Sequence, residues 1–334
     1  MRFRLPSFLS PFILLLIAIP LIATALPARG GTADALDYAT IAAVCLLFFL
    51  HGAKLTPSDA REGFTRWQFQ LVVLACTFVV FPLLGIALTL LPASILSPVM
   101  ATGFLFLAIL PSTVQSSIAF TSIARGNVAL AVSSASISNV LGVVLTPLLA
   151  GVLLGSSVHI TPKSLLGIVG ELVVPFVAGQ LLHKRMRGFL KRNHRVVSIV
   201  DQGSVLLVVY AAFSIGVTQG LWTVVPPSQL LMVVAVSVVL LAVVLGAFFG
   251  LGKAMRLPRG DAIVLLFCGS KKSQVSGLPM ATLLFPAAQV GMYVLPLMIF
   301  HIIQLLVCAV LANRYAATAP VEPPDEPVAA VAAT

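Results

Sequence analysis

A pair of adjacent lysines inside a long apolar stretch is the feature of this sequence with the clearest chemical meaning. Lys271 and Lys272 follow the residues AIVLLFCGS and precede SQVSGLPMATLLF. A lysine near the centre of a bilayer costs at least about 2.5–3.5 kcal/mol on insertion scales, and it normally faces a cavity or a counter-charge. Neighbouring residues of a regular helix point about 100° apart. We therefore expect one lysine to point to a binding site and the other to pack against carbonyls or reach water; the alternative is that both lie in a loop.

Two polar, helix-breaking stretches interrupt apolar segments of the chain. The first reads PSTVQSS at 111–117, and the second reads GSKKSQVSGLP at 269–279. Proline removes a backbone donor and glycine weakens a helix, and in hydrocarbon the freed groups need protein or a water-filled cavity beside them. Helix N-termini at such breaks favour anionic groups. The candidate substrate- or ion-binding residues are Gln115, Ser116, Ser117, Ser270, Lys271, Lys272, Ser273 and Gln274, and the predicted helix-break residues are Pro111, Gly269, Gly277 and Pro279.

Glu171 is the one acidic residue that lies deep within an apolar block. It could be a counter-charge to a lysine, a proton carrier, or a protonated acid bonded to a neighbouring helix. His301 and Gln304 share a helix face three residues apart, and core hydrogen bonding is the preferred interpretation for both.

The composition predicts a membrane protein. Hydrophobic residues make up 59% of the 334 residues and charged residues only 9%, whereas soluble domains carry about 25% charged residues. The formal charge of +10 does not indicate nucleic-acid binding, because the basic residues lie in short connections between apolar blocks. The sequence has no Ser/His/Asp set, phosphate-binding loop or HExxH metal motif, so we expect neither an enzyme nor a resident cofactor.

The elements that must position the polar stretches are apolar blocks of about 18–25 residues, the length that crosses a bilayer. They lie at 11–28, 37–54, 68–92, 98–123, 127–153, 163–182, 202–219, 228–252, 261–286 and 289–313. Sixteen of the twenty Lys and Arg residues fall on one side of the resulting alternation and two on the other. This bias predicts ten spans with both termini in the cytoplasm, in the cell (plasma or inner) membrane. For the first block, the alternative is a signal peptide.

Five spans in each half give an inverted repeat, because an odd number forces the second half to enter the membrane in the opposite sense. The predicted organisation is a cytoplasmic N-terminus at 1–10, a first repeat at 11–153, a non-cytoplasmic connection at 154–162, a second repeat at 163–313 and a disordered cytoplasmic tail at 314–334. The polar breaks fall in the fourth span of each half, which is where such transporters bind their substrates.

With these motifs in view, the chain resembles the bile acid:sodium symporter superfamily, in the branch of sodium/bile acid cotransporter 7 and its bacterial relatives. The resemblance covers about 10–313 and rests on PSTVQSSIAFTSIARGN at 111–127 and GSKKSQVSGLPM at 269–280. It implies a panel domain of spans 1, 2, 6 and 7, a core domain of spans 3–5 and 8–10, and a crossing of spans 4 and 9. It also implies organic anion substrates moved by alternating access.

The sequence departs from sodium-coupled members of that superfamily at the positions of their sodium ligands. The expected Glu and Asn of the second motif are Ser270 and Val275, and two expected hydroxyls are Ala131 and Ala135. Hard cations need oxygen ligands and preferably negative charge, so a sodium site is in doubt. We expect a lysine ammonium to fill the space of the sodium ion, with the coupling ion left open between Na⁺, H⁺ and none.

The sequence therefore favours a secondary active transporter of a small organic anion in a lipid bilayer. A non-transporting membrane regulator of ion (calcium) homeostasis or envelope assembly stays as an alternative, and a channel is a further one. The solute, the lysine that faces the site and the oligomeric state do not follow from the sequence.

Overall fold

The computed structural model describes residues 11–54, 65–155, 166–167 and 169–318, and the secondary structure of this part is helical, without strands. The predicted N-terminal segment 1–10, most of the 154–162 connection and the tail beyond 318 lie outside the described residues. In the first half the helices are α1 (Pro11–Ala25), α2 (Gly31–Lys54), α3 (Trp67–Thr89, with a π-helical turn at Cys76–Val80), α4 (Pro98–Ala108), α5 (Gln115–Ile123) and α6 (Val128–Leu153).

The second half continues with α7 (Val169–Leu181), α8 (His183–Arg192), α9 (His194–Thr218), α10 (Leu221–Val224), α11 (Pro227–Ala254), α12 (Arg259–Ser270), α13 (Gln274–Leu284) and α14 (Ala287–Ala317). The fourth predicted span is thus two helices, α4 and α5, and the ninth is also two, α12 and α13. The basic residues at 183–195 lie between two of the predicted apolar blocks, and this connection contains a helix, α8, because HKRMRGFLKR consists almost entirely of residues that tolerate a helix.

Within the described residues, six helices are long and apolar enough to cross a membrane: α2, α3, α6, α9, α11 and α14. Three shorter apolar helices, at Leu14–Ala25, Pro98–Ala108 and Val169–Leu181, accompany them. Large apolar side chains such as Leu21, Leu90, Val152 and Leu181 are more than half exposed on the outer surface. A helical protein with that surface belongs in lipid, so the chain is a multi-span membrane protein.

The contacts between helices show which elements surround the site. α2 packs against α7 and α9, and α1 packs against α9, while α14 packs against α4, α9, α11 and α13. The N-terminal helix is tied down by polar contacts as well: the Tyr210 hydroxyl donates to the Leu26 carbonyl at 2.8 Å, and the Trp222 indole donates to Thr24 Oγ1 at 3.1 Å.

Candidate functional site

The first helix break separates α4 from α5, and side chains of α6 hydrogen-bond its backbone. The Thr146 hydroxyl donates to the Ile109 carbonyl at 2.9 Å. The Ser112 amide donates to Ser138 Oγ at 3.0 Å, and its carbonyl accepts from Asn139 Nδ2 at 2.6 Å. These side chains replace the helical hydrogen bonds lost around Pro111, so the break is stable within apolar surroundings.

The second helix break is shorter than the sequence predicted, and consists of 271–273. Gly269 lies within α12, and Gly277 and Pro279 lie within α13, so these three residues do not form the break. The helix restarts early because Ser273 caps it: its Oγ accepts from the Ser276 amide at 3.2 Å. The glycine at 277 has a packing role, since a Cβ there would lie 2.4 Å from Leu110 Cδ1.

The two breaks are hydrogen-bonded to each other. The Ser273 amide donates to the Pro111 carbonyl at 2.8 Å. On α5, the Ser117 hydroxyl donates to the Phe267 carbonyl at 3.2 Å, and the Ser276 hydroxyl donates to Asn139 Oδ1 at 2.9 Å. Polar groups that would be orphaned in either helix alone are satisfied by the other.

Lys272 is fully buried and its ammonium is held by main-chain oxygen atoms. Nζ donates to the carbonyls of Thr77, Ala108 and Leu110 at 2.7, 2.7 and 2.8 Å. Two of these carbonyls lie at the C-terminal end of α4, where the helix dipole favours a cation. The Phe81 ring covers the same ammonium at 4.2 Å from its centroid. Oxygen atoms are the ligands that hard cations prefer, and here three of them accept from an ammonium.

Lys271 is equally buried but lies in a different environment. Its Nζ has no hydrogen-bond partner among the described residues, and it lies 3.8 Å from the centroid of the Phe120 ring and 5.8 Å from that of Phe267. The cation is therefore stabilised by aromatic faces alone, which compensates less well for lost water than carbonyl oxygens do.

A cavity of about 430 Å³ opens beside both breaks. Gln115 and Ser116 from the first turn of α5 and Ser273 at the start of α13 line it, together with Asn139 and Phe120. Neither Lys271 nor Lys272 lines the cavity. Phe120 does line it, and the centroid of the Phe120 ring lies 3.8 Å from the Lys271 ammonium.

The remaining predicted site residues do not line the cavity. Ser270 bonds back to the Leu266 carbonyl within α12, and Gln274 is buried with both side-chain polar atoms unpartnered within the described part of the chain. Gln304 bonds both the amide and the carbonyl of Lys272, at 3.1 and 3.0 Å, and thereby holds the break. Glu171 lies in the π-helical turn of α7 that packs on α2, and it forms no ion pair within 4.0 Å across the described residues.

The cavity also has an ion pair that was not predicted from the sequence. Asp201 lines it, 3% exposed, and forms a salt bridge with Lys54 while also accepting from Gln115 Nε2 at 3.3 Å. Asp201 lay just outside the predicted seventh block, which began at 202. The missing signal was the helicity of the basic stretch before it, which starts α9 at His194 and places Asp201 two turns inside the helix.

Comparison with known proteins identifies the family of the chain. Residues 10–317 match the SBF-like CPA transporter family, which is nearly the whole chain. The chain belongs to this family. The predicted resemblance to the bile acid:sodium symporter superfamily is confirmed, because proteins named sodium/bile acid cotransporter 7 match over most of the sequence.

Three relatives of this SBF-like transporter chain indicate how broad the match is. The uncharacterized protein PA2026 of Pseudomonas aeruginosa is 50% identical over 316 residues, which cover 93% of this chain and 94% of that protein. The putative symporter YfeH of Escherichia coli is 46% identical over 317 residues with the same coverage. The sodium/bile acid cotransporter 7-B of Xenopus laevis is 26% identical over 314 residues, covering 93% and 91%. The chain is thus similar to a putative symporter and to a sodium/bile acid cotransporter over more than nine tenths of their length.

Proposed function

We propose that the chain is a secondary active transporter of small organic anions, with the substrate bound in the cavity beside the two breaks. The observation that carries this proposal is that the N-terminal turns of α5 and α13 line one cavity of about 430 Å³. Helix N-termini present free amides and a partial positive charge, which favour anions. The volume suits a small ligand, and relatives named as symporters agree with transport.

The proposed architecture is a ten-span, five-plus-five inverted repeat. Counting α4 with α5 and α12 with α13 gives spans 1–5 from α1 to α6 and spans 6–10 from α7 to α14, with the breaks in spans 4 and 9. The contacts of α1, α2, α7 and α9 with one another support a panel of spans 1, 2, 6 and 7. Both termini would be cytoplasmic in the cell membrane, because the basic connections would then face the cytoplasm. Rocking of the core against the panel would expose the cavity to each side in turn.

Transport by this chain would be independent of sodium, because Lys272 acts as a built-in cation. Three carbonyl oxygens surround its ammonium. A sodium ion at these oxygens would have to displace a cation that they already coordinate. The environment of Lys272 therefore does not fit a sodium ion.

The test is uptake by the purified protein in liposomes. We expect at least one of three radiolabelled anions, cholate, taurocholate and p-nitrophenyl sulfate, to enter faster than into protein-free liposomes, at the same rate with sodium or choline outside. Uptake that requires sodium would contradict the role of Lys272. Uptake of none of the anions under any ion gradient would contradict the proposed function.

Lys271 is expected to matter for transport and not for stability. In the K271M variant a buried ammonium without hydrogen bonds is replaced by an apolar chain of similar length, so the variant should unfold at or above the temperature of the unchanged protein. Anion uptake should fall at least tenfold, because the cavity wall loses the positive charge behind Phe120. Uptake and thermal unfolding of the same preparations measure both effects.

The control is K253M, which removes another lysine that lies over a ring, 4.4 Å from the Phe249 centroid, but outside the cavity. It should leave uptake unchanged. Full uptake by K271M would show that Lys271 has no role in anion binding. A large loss of stability in K271M would show that the buried Lys271 side chain stabilises the fold.

A further inference from the structure

The ion pair between Asp201 and Lys54 is built differently from the other one in the described part of the chain. Asp261 has both oxygens occupied, one by Arg66 Nη1 at 2.9 Å and the other by Asn127 Nδ2 at 3.1 Å. Asp201 also binds its partner through one oxygen, Oδ2, but its Oδ1 is buried and has no hydrogen-bond partner among the described residues.

The surroundings of Asp201 suit a carboxyl group that changes its protonation state. It lines the cavity, so a proton and a substrate can both reach its side chain. A buried carboxylate oxygen without a donor is costly, and a proton on Oδ1 lowers that cost because the acid carries no charge. Lys54 does not line the cavity itself, but its side chain is 34% exposed, compared with 4% for Asp201, so the ammonium has free surface to receive a second anion.

We propose that the Asp201–Lys54 pair is the coupling site of the transporter: the organic anion binds the Lys54 ammonium while one proton binds Asp201, and the two cross the membrane together. This inference rests on the proposed function. Charge balances in the step, because the carboxylate and ammonium sum to zero before loading, and the neutral acid, the ammonium and a monovalent anion sum to zero after it. A neutral loaded site avoids moving net charge through a low-dielectric interior.

A proton fits this place better than a metal cation does. A metal ion needs several oxygen ligands, whereas the carboxylate already holds an ammonium and receives the amide Nε2 of Gln115. The other titratable side chains near Asp201 come from three neighbouring helices, α2, α8 and α14, since α1, α5, α10 and α13 have none. They are His51 and Lys54 on α2 and His301 on α14, while His183 on α8 is bonded to the Ala53 carbonyl.

Gln115 links this pair to the first break. Its Nε2 donates to Asp201 Oδ2, and the residue begins α5, whose N-terminal turn lines the anion cavity. Protonation of Asp201 removes the negative charge that strengthens its hydrogen bond from Gln115 and its ion pair with Lys54. Loading of the site would therefore weaken the contact between α9 and α5, because a neutral acid accepts a weaker hydrogen bond than a carboxylate does.

The test follows protons and anions in the same liposomes. The full chain is reconstituted with a pH-sensitive dye in the lumen and the membrane potential clamped by potassium and valinomycin. Taurocholate and p-nitrophenyl sulfate are the probes, because anions of strong acids do not carry protons across lipid by themselves. We expect the unchanged protein to bring in one proton per anion.

In D201N the neutral amide mimics the protonated acid. Acidification should fall at least tenfold, while exchange of labelled for unlabelled probe continues. K54Q should raise the probe concentration for half-maximal uptake at least tenfold. The matched controls are D261N and R66Q, which alter the other ion pair of the described residues and should leave the proton-to-anion ratio and the half-saturation unchanged.

Each alternative outcome is decisive. Equal acidification by D201N, probe uptake without protons by the unchanged protein, or loss of acidification in H51Q or H301Q but not in D201N would overturn the coupling site. If D201N loses exchange as well, D201E decides, since it keeps a carboxyl group and should restore acidification; failure of D201E to do so also overturns the inference. Transport of neither probe by the unchanged protein is a separate result, and it contradicts the proposed function itself.

Discussion

Replacement of Lys272 by methionine is expected to lower the free energy of unfolding by about 3–5 kcal/mol, because three buried carbonyl oxygens lose a charged hydrogen-bond donor. The variant keeps the length and the apolar stem of the side chain but leaves the carbonyls of Thr77, Ala108 and Leu110 without their donor. Each buried acceptor without a partner costs about 1–3 kcal/mol. Because these carbonyls belong to α3 and α4, the substitution also loosens the contact of the second break with both helices. Thermal unfolding of the purified protein in detergent measures the effect.

K271M is the matched control for K272M, because it makes the same chemical change at the adjacent, equally buried position. Its ammonium has no hydrogen bonds to lose within the described structure, so the stabilities of the two variants should differ by several kcal/mol in the stated direction. Equal stability of the two variants would contradict the assignment of Lys272 as the cation that holds the breaks together.

A second variant at the same position tests the substitution of lysine for sodium. K272A leaves the three carbonyl oxygens and opens the space that the ammonium filled. Sodium chloride should raise the unfolding temperature of K272A more than choline chloride does. The unfolding temperature of the unchanged protein should be the same in the two salts. Absence of any sodium effect in K272A would mean that these oxygens do not form a cation site.

The broken helices could be predicted from the sequence because their signals are local. A proline or glycine beside hydroxyl, amide and amine side chains contrasts with the apolar residues around it, and this contrast marks both breaks. The exact bounds were less accessible: Pro279 continues inside α13, because the cap by Ser273 starts that helix only three residues after α12 ends. Capping geometry overrides the breaking tendency of a proline six residues after the cap.

The lysine pair illustrates a limit of sequence reasoning. That two adjacent buried cations need different surroundings follows from helical geometry. Which one contacts carbonyls and which contacts rings depends on α3, α4 and α5, whose contact residues are more than 100 positions away along the chain. No local pattern contains that information.

The position of Asp201 at the cavity could not be predicted from the sequence for the same reason. Glu171 is a candidate because an acid within an apolar block is unusual, whereas Asp201 follows a basic stretch and has the sequence context of a connection. The structure brings Asp201 to Lys54, 147 residues earlier, because α8 and α9 are nearly continuous and bring the start of α9 beside the end of α2. An ion pair between distant helices leaves no periodic signal in the sequence.

Gly52 is expected to tolerate no larger residue, because α2 and α7 meet there backbone to backbone. A Cβ at Gly52 would lie 2.0 Å from the Phe176 carbonyl oxygen, and one at Gly179 would lie 2.0 Å from the Phe49 carbonyl oxygen. Paired small residues let membrane helices approach this closely. G52A must separate the helices, since backbone atoms cannot rotate away, and the cost should reach or exceed the upper end of the about 1–3 kcal/mol of overpacked sites.

The same substitution should also disturb transport, because Lys54 follows Gly52 by two residues and displacement of α2 moves its ammonium away from Asp201. Folded yield after detergent extraction and anion uptake per folded molecule separate the two effects. G246A and G250A on α11 are the controls: a Cβ at either position meets no atom within 4 Å, so alanine there should keep or slightly increase stability through its higher helix propensity. If G52A folds and transports as well as these controls, the close contact of α2 and α7 is not what positions Lys54, and the ion pair must be held by α9 alone.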